Sequence, residues 1–262
     1  MVFQKDSSDT AESTDPFGSI AALSQYLAIP EATLADVVQH IASGQLFLYG
    51  VSGRMGAGKD TVAEAVAHLI VHDQTSAGAP TPVVQKVSIA DAIRVEVNRI
   101  LNLLRLYQNA PWFSEDWAAT TVAASERVTY AEALLVVQLL LSHDLDEVTS
   151  YTRTANMRQA LVVWGTHIRR KQDNAYLTKA WARNTVAQLQ LGNSVYCADI
   201  RNPEEVRLIR ALHGKVVRLD VSVEERRQRL VKRDGVEPTT ASLNDATEIA
   251  LDVFDWLPGE VV

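Results

Sequence analysis

The chain has 262 residues, and its 25 Lys and Arg against 32 Asp and Glu give a formal net charge of −7. Apolar residues make up 47% and charged residues 22%, values near the globular average that exclude a chain disordered throughout or collagen-like. The single cysteine, Cys197, excludes an internal disulfide, a zinc ribbon and an iron–sulfur site. The length allows one large α/β domain or two smaller ones. The acidic balance argues against binding of duplex DNA through charge alone.

The N-terminal region predicts a polar tail followed by two helices. Residues 1–18 are rich in Ser, Thr, Asp and Glu, and we expect them to be disordered. They lack the basic and apolar regions of a signal peptide, and no apolar run approaches the roughly 18 residues that span a bilayer. Residues 19–44 show helical apolar spacing interrupted by Pro30, which predicts an N-terminal helical extension of two short helices.

Strands and helices alternate from residue 45 onward. Apolar runs predict buried strands at 45–51, 83–89, 194–200 and 215–221. Helical spacing is found at 59–72, at about 92–190 with breaks near 109–111 and 142–151, at 203–214 and at 222–234. This alternation is typical of an α/β fold in which helices flank a mostly parallel sheet. The tryptophans at helical positions are expected in the core: Trp112, Trp117, Trp164 and Trp181.

The turn between the first strand and its helix carries the most specific motif of the chain. The segment Gly53-Arg-Met-Gly-Ala-Gly-Lys-Asp-Thr61 contains G-x-x-x-x-G-K, the phosphate-loop (P-loop) pattern. In this pattern glycines let backbone N–H groups turn inward, the lysine reaches the β- and γ-phosphates, and the helix N-terminus adds a favourable dipole. We therefore predict that ATP is bound by Gly53, Arg54, Gly56, Ala57, Gly58, Lys59, Asp60 and Thr61.

Asp60 stands where the P-loop pattern usually has Ser or Thr. A carboxylate beside a triphosphate repels it unless Mg²⁺ lies between them. Asp60, with Thr61 as a hydroxyl ligand, therefore predicts a strictly Mg²⁺-dependent site. The alternative is that Asp60 is a first-turn acid that stabilises the helix dipole.

The order of motifs resembles that of the bacteriophage deoxynucleoside monophosphate kinases, a branch of the P-loop nucleotide kinases. The resemblance covers about residues 45–255 and rests on four blocks: Gly58-Lys-Asp-Thr61, Ile89-Ala-Asp-Ala-Ile-Arg94, Arg158 to Thr166 with Asp173-Asn-Ala-Tyr176, and Asp199-Ile-Arg-Asn-Pro-Glu-Glu205. It implies a three-layer P-loop NTPase fold with a kinase domain at 45–262. Within that domain it implies a helical acceptor-binding insertion at about 105–152 and a lid at about 222–240.

The same blocks hold the acceptor nucleotide in such kinases. The resemblance implies acceptor contacts from Asp91, Arg94, Arg158, Gly165, Thr166, Asp199, Arg201 and Glu205. The place of Asp199 at the end of a predicted strand agrees, because ligands of open α/β sheets gather at the carboxyl ends of strands. Arginine also suits bidentate binding of phosphate. For each arginine, a surface ion pair is the alternative.

The helix at 222–234 is strongly basic. Arg226, Arg229 and Arg233 fall at spacings of three and four, and hence on one helix face. Nucleotide kinases close a basic lid over the triphosphate, so Arg226 and Arg233 are expected to contact ATP, and Arg229 is expected to act in catalysis with Lys59 and Arg158. The segment also resembles the lid of dephospho-coenzyme A kinases. The alternative is a solvated helix whose glutamates balance its arginines.

These observations predict ATP- and Mg²⁺-dependent phosphorylation of a (deoxy)nucleoside monophosphate to the diphosphate in the cytoplasm, or in the host cytoplasm if a phage encodes the chain. The expected partners are small-molecule nucleotides, with no membrane and no duplex nucleic acid, and a homodimer is an alternative to a monomer. Val162 and Leu177 stand where the family has Gln and Trp, so base preference is not carried over. Two other functions stay open: a P-loop kinase for another acceptor such as dephospho-coenzyme A, and a nucleotide-binding protein without kinase activity.

Overall fold

The structure is a computed structural model, and it describes residues 17–76, 83–152, 154–239, 251–252 and 254–262. Two predicted features fall partly outside these residues. They are the tail at 1–18, of which only residues 17–18 are described, and the lid, whose end at residue 240 is not. No helix in the described part of the chain is both long enough and apolar enough to cross a bilayer.

A parallel sheet forms the centre of the fold. Among the described residues its strands are β1 (Leu48–Gly53), β2 (Val84–Lys86), β3 (Ser194–Ile200) and β4 (Lys215–Leu219), in the order β2-β3-β1-β4. Every pairing is parallel, which confirms the predicted α/β class. β1 lies two to three residues later than predicted, because the segment up to Gly53 still pairs with β4, where Gly53 is opposite Leu219.

The helices are α1 (Ile20–Leu27), α2 (Glu31–Ala42), α3 (Lys59–Ser76), α4 (Asp91–Tyr107), α5 (Glu115–Glu126), α6 (Tyr130–Leu141), α7 (Ala155–Val162), α8 (Arg170–Gln172), α9 (Tyr176–Gln190), α10 (Pro203–Ala211) and α11 (Val223–Asp234). A π-helix (Val163–Arg169) joins α7 to α8. α1 and α2 lie where the sequence predicts a helical extension. They pack against α9 and share its core through Leu23, Leu27 and Leu34.

Side chains of the strands alternate between two cores, one on each face of the sheet. Leu48, Val195, Cys197 and Val216 pack on one face with residues of α1, α2, α9 and α10. Tyr49, Val51, Tyr196 and Ala198 pack on the other face with Ala63 of α3. Burial on both faces is what a parallel sheet requires, and the arrangement is consistent with three layers.

The segment predicted as helical over 92–190 contains two breaks in addition to the two predicted ones. Arg127, in the left-handed conformation, ends α5, and Thr129 starts α6 through a capping box with Glu132. A further break lies at 173–175. α4 to α7 and the π-helix enclose a third core that contains Trp164. Trp164 and Trp181 are buried as predicted, but the prediction is wrong for Trp112, which lies in the break at 108–114 and is 53% exposed.

Candidate functional site

The glycine-rich loop, residues 54–58, connects β1 to α3 at the carboxyl edge of the sheet. Gly53, the last residue of β1, has φ of 137°, and the glycines in the middle and at the end of the loop have φ of 83° (Gly56) and 91° (Gly58). A Cβ on Gly56 would lie 2.9 Å from the backbone oxygen of Arg226, so the loop passes α11 too closely for a side chain there. Gly56 therefore has both a conformation and a location that favour glycine.

Lys59, the first residue of α3, reaches back across the glycine-rich loop. Its ammonium donates a hydrogen bond to the backbone oxygen of Gly53, so the charge lies at the mouth of the loop. The loop opens at the start of an 18-residue helix, whose N-terminal N–H groups and dipole favour an anion. The predicted residues of this segment thus lie in one turn, which carries the cations Arg54 and Lys59 as well as the carboxylate of Asp60.

Asp60 and Thr61 occupy the exposed first turn of α3. The Asp60 carboxylate accepts a hydrogen bond of 2.6 Å from the ammonium of Lys86 at the end of β2. That bond is the main reason that the pKa of Lys86 is raised. Lys86 was not identified from the sequence, because Lys86 and Asp60 are 26 residues apart and belong to different strand–helix units.

α11 packs on the glycine-rich loop through two of its three predicted arginines. Arg226 is 1% exposed, and its guanidinium donates to the backbone oxygens of Val221 and Met55. Arg229 donates to the backbone oxygen of Ala57 at 2.8 Å. Arg233 is instead exposed and paired with Asp234 at 2.6 Å. The three side chains therefore do not form one exposed basic face.

A cavity of about 550 Å³ adjoins the glycine-rich loop on the side of β4. Its walls include Arg54, Arg218, Asp252 and Trp256. The Asp252 carboxylate accepts from both arginines. Burial alone would raise the pKa of Asp252, but these two bonds outweigh burial and lower it. Arg54 is therefore held at the border between the loop and this cavity.

A larger cavity of about 900 Å³, which we call the arginine cavity, lies at the carboxyl ends of β2 and β3. It is lined by all predicted acceptor residues except Asp91: Arg94, Arg158, Gly165, Thr166, Asp199, Arg201 and Glu205. Ala90, Thr154 and Asn202, the N-caps of α4, α7 and α10, also line it. Three helix N-termini thus add favourable dipoles for an anion.

Three arginines of this cavity have no partner in the part of the chain that the structure describes. The guanidinium groups of Arg158, Arg170 and Arg201 make no hydrogen bond or ion pair within the described residues, and all three line the cavity. Most other arginine side chains of the described residues are engaged, as in the ion pairs of Arg210 and Arg227, and Arg127 is an exception outside the cavity. Unpaired cations gathered in one concave site favour an anionic ligand. Arg170 was missed because no motif marks it.

Asp199, near the end of β3, forms hydrogen bonds that connect this strand to the segment after β2. Its carboxylate accepts from the Ser88 hydroxyl at 2.7 Å and from the thiol of Cys197 at 2.9 Å. Asp91 joins the same network, because it accepts from the backbone N–H of Ser88 at 2.8 Å and from Arg94 at 3.2 Å. Asp91 therefore does not line the cavity itself but holds Arg94, which does.

Glu205 is buried at the start of α10. It is 1% exposed and accepts hydrogen bonds from the backbone N–H groups of Arg201 and Asn202, at 2.7 and 3.0 Å. Burial is the main cause that raises the pKa of Glu205 to about 7. Its contacts fix the turn that carries Arg201, so in this structure it positions a cavity residue.

A buried network supports the wall formed by the π-helix. Glu96 of α4 is 6% exposed and accepts from Trp164 Nε1 at 2.6 Å, from Arg169 Nε at 2.7 Å and from the Tyr176 hydroxyl. Burial, and then the bond to Glu96, raises the pKa of Tyr176 to about 12. A Cβ on Gly165 would lie 3.2 Å from Ile93 Cγ1, so glycine lets this wall pack closely on α4.

The described residues contain no group of three or more His, Cys, Asp or Glu side chains that could hold a metal ion. In comparisons with known proteins, no family model matches the sequence and no curated protein is significantly similar to it. The resemblance to a kinase family therefore rests on the motif residues alone, and the function has to be inferred from the geometry of the loop and the arginine cavity.

Proposed function

We propose that the protein is a P-loop kinase that transfers a phosphoryl group from ATP to a (deoxy)nucleoside monophosphate. One observation carries the proposal: the glycine-rich loop with Lys59 and the arginine cavity open at the same carboxyl edge of one parallel sheet. Ligands of such sheets bind at that edge. Two anion-binding features side by side suit a reaction between two phosphate-bearing molecules.

The donor end of this site consists of the glycine-rich loop and its neighbours. Backbone N–H groups of the loop and the ammonium of Lys59 would hold the β- and γ-phosphates of ATP. The cavity of about 550 Å³ beside Arg54 has room for the nucleoside of the donor. Arg229, whose guanidinium lies next to Gly58, is the lid residue best located to stabilise charge on the transferred group.

Magnesium fits the donor end of the site. Asp60 and Thr61 offer a carboxylate and a hydroxyl directly after the loop, and Mg²⁺ is commonly bound by one or two protein carboxylates together with substrate phosphates. When bound, the ion would neutralise charge on the phosphates; Lys86 competes with it for Asp60.

The acceptor end needs little covalent chemistry from the protein. A phosphate oxygen of the acceptor attacks the γ-phosphorus, the bond from that phosphorus to the β-bridging oxygen breaks, and ADP leaves. The attacking oxygen is already anionic, so no general base is required. Arg158, Arg170 and Arg201 would hold the acceptor in line, and their positive charge offsets the repulsion between the two phosphate groups.

The test is release of ADP from ATP and Mg²⁺ with a panel of deoxynucleoside monophosphates, ribonucleoside monophosphates and dephospho-coenzyme A. We expect turnover with at least one monophosphate, and a loss of a hundredfold or more in Lys59→Ala, on the order of the effect of one group that stabilises transferred charge. Lys215→Ala is the matched control, because Lys215 begins β4 at the opposite edge of the sheet. Lys59→Ala activity within tenfold of the unaltered protein would refute the proposed site.

The same panel separates the two alternative functions. Turnover with dephospho-coenzyme A alone would assign the arginine cavity to a different acceptor. Tight ATP binding without turnover of any acceptor would assign the chain to the nucleotide-binding proteins that lack kinase activity. Arg158→Ala and Arg201→Ala should each raise the KM for the acceptor, whereas Arg207→Ala, on the exposed face of α10, should not.

A further inference from the structure

Buried polar atoms without a partner are concentrated at the arginine cavity. Among the described residues, three buried side-chain nitrogen or oxygen atoms have no hydrogen-bond partner: Arg94 Nε, Ser150 Oγ and Thr185 Oγ1. Arg94 and Ser150 both line the arginine cavity. Such atoms are rare in folded proteins, and a missing ligand is one of the recognised reasons for them.

Ser150 is fixed in place by α4. It belongs to the connection between α6 and α7, residues 142–154, and its backbone N–H donates to Asn98 Oδ1 at 2.9 Å. Arg105 of α4 donates to the backbone oxygens of Leu145 and Val148 in the same connection. Ser150 itself is 2% exposed. Its hydroxyl is therefore already removed from water before any ligand binds, which lowers the further cost of binding one.

Arg94 is held from two sides. Its Nη1 donates to Asp91 at 3.2 Å, and its guanidinium lies over the ring of Tyr151, 5.0 Å from the ring centre. These contacts leave Nε–H without an acceptor. An Nε–H group can only donate, and a serine hydroxyl can also donate. The ligand atom that satisfies both is a hydrogen-bond acceptor, and an anionic oxygen suits a site that is also lined by unpaired arginines.

We propose that Ser150 and Arg94 together bind a phosphate oxygen of the acceptor, and that Tyr151 holds Arg94 in the orientation this requires. The inference rests on the proposed function, since it assigns part of the same acceptor site. It adds binding residues from the connection between α6 and α7, in which no sequence motif marks Ser150 or Tyr151. Ser150 contacts the ligand directly, whereas Tyr151 acts through Arg94.

Kinetics of Ser150→Ala with the best monophosphate test the inference. We expect the KM for the acceptor to rise about tenfold or more, which corresponds to one lost hydrogen bond to a charged group, while the KM for ATP stays within twofold. Tyr151→Ala should raise the acceptor KM severalfold, and Tyr151→Phe should leave it unchanged because the ring remains. Thr185→Ala is the matched control, since it removes the other unpartnered hydroxyl of the described residues, which lies on α9 and does not line the cavity.

Calorimetric titration of the acceptor monophosphate alone separates failure of this inference from failure of the proposed function. If the unaltered chain releases no ADP, the kinase proposal fails, while weaker binding of the monophosphate by Ser150→Ala would still support the inference. If the unaltered chain is active and Ser150→Ala has an acceptor KM within twofold of it, the inference alone is overturned. Equal or absent binding of the monophosphate by both proteins also overturns it.

Discussion

Replacing Glu96 with glutamine would test the buried network that joins α4 to the π-helix and α9. The substitution keeps the size of the side chain and removes the charge that faces Arg169, which is 8% exposed. Breaking one partner of a buried ion pair typically costs about 3–5 kcal/mol. Because Arg169 keeps its bond to Glu126 at 2.6 Å, we expect the lower end, about 3 kcal/mol.

The expected change in melting temperature follows from the size of the chain. Unfolding entropy of about 2.1 cal/mol/K per residue gives about 0.55 kcal/mol/K for 262 residues. A loss of about 3 kcal/mol therefore lowers Tm by about 5–6 °C. Thermal melts followed by circular dichroism measure this shift directly.

The matched control for this experiment is Glu147→Gln. Glu147 is an exposed carboxylate that has no ion pair among the described residues, so its replacement should change Tm by about 1 °C or less. A Tm for Glu96→Gln within 1 °C of this control would refute the reasoning, since the network would then contribute nothing beyond packing. A raised acceptor KM in Glu96→Gln would be a second consequence, because Glu96 supports the wall that contains Gly165.

Three further predictions concern the glycine-rich loop, the proposed metal ligand Asp60 and the turn before α10. Lys86→Met should lower the Mg²⁺ concentration for half-maximal activity about two- to fivefold, since it frees the carboxylate of Asp60; a higher Mg²⁺ requirement would contradict this. Glu205 is an acid whose pKa rises on folding to about 7. Its protonated form therefore contributes to the free energy of unfolding fully below the unfolded pKa of about 4.5. This contribution, about 3 kcal/mol, is lost as pH rises through 7. Urea midpoints should therefore fall between pH 5 and 8, and this slope should be absent in Glu205→Gln. Gly56→Ala should lower Tm and ATP affinity, because φ is 83° and the new Cβ would lie 2.9 Å from a backbone oxygen of α11. Gly192→Ala, with φ of 80° and nothing within 4 Å, should cost only the backbone strain of about 1–2 kcal/mol; equal melting temperatures for the two would contradict the close approach.

The parts of the fold that depend on local pattern were predictable from the sequence. Apolar runs bounded by turn residues gave the positions of the four strands within a few residues, and the spacing from Gly53 to Lys59 located the turn between β1 and α3. The capping box Thr129–Glu132 also follows a local sequence pattern, Thr followed three residues later by Glu. A π-helix changes periodicity over only seven residues, which is too short for an apolar pattern to reveal.

The parts of the candidate site that were not predicted from the sequence depend on contacts between segments that are distant along the chain. Arg54 pairs with Asp252, 198 residues away, and no local pattern encodes that contact. Arg226 was expected to contact ATP from a basic lid, but its guanidinium donates to the backbone oxygens of Val221 and Met55, and these bonds depend on how closely α11 packs on the loop. Ser150 has no motif around it, and its importance follows only from the burial of its hydroxyl beside a cavity.

The central position of β1 sets an order for folding. β1 pairs with β3, where Leu48 is opposite Val195, so almost 150 residues separate two strands that must meet before the sheet can form. The core inside α4 to α7 and the π-helix, in contrast, uses buried residues from Ile93 to Ile168 only. Contacts close in sequence form faster than distant ones. We expect the helical half to gain structure first during synthesis, while β1 stays unpaired until β3 and β4 are available.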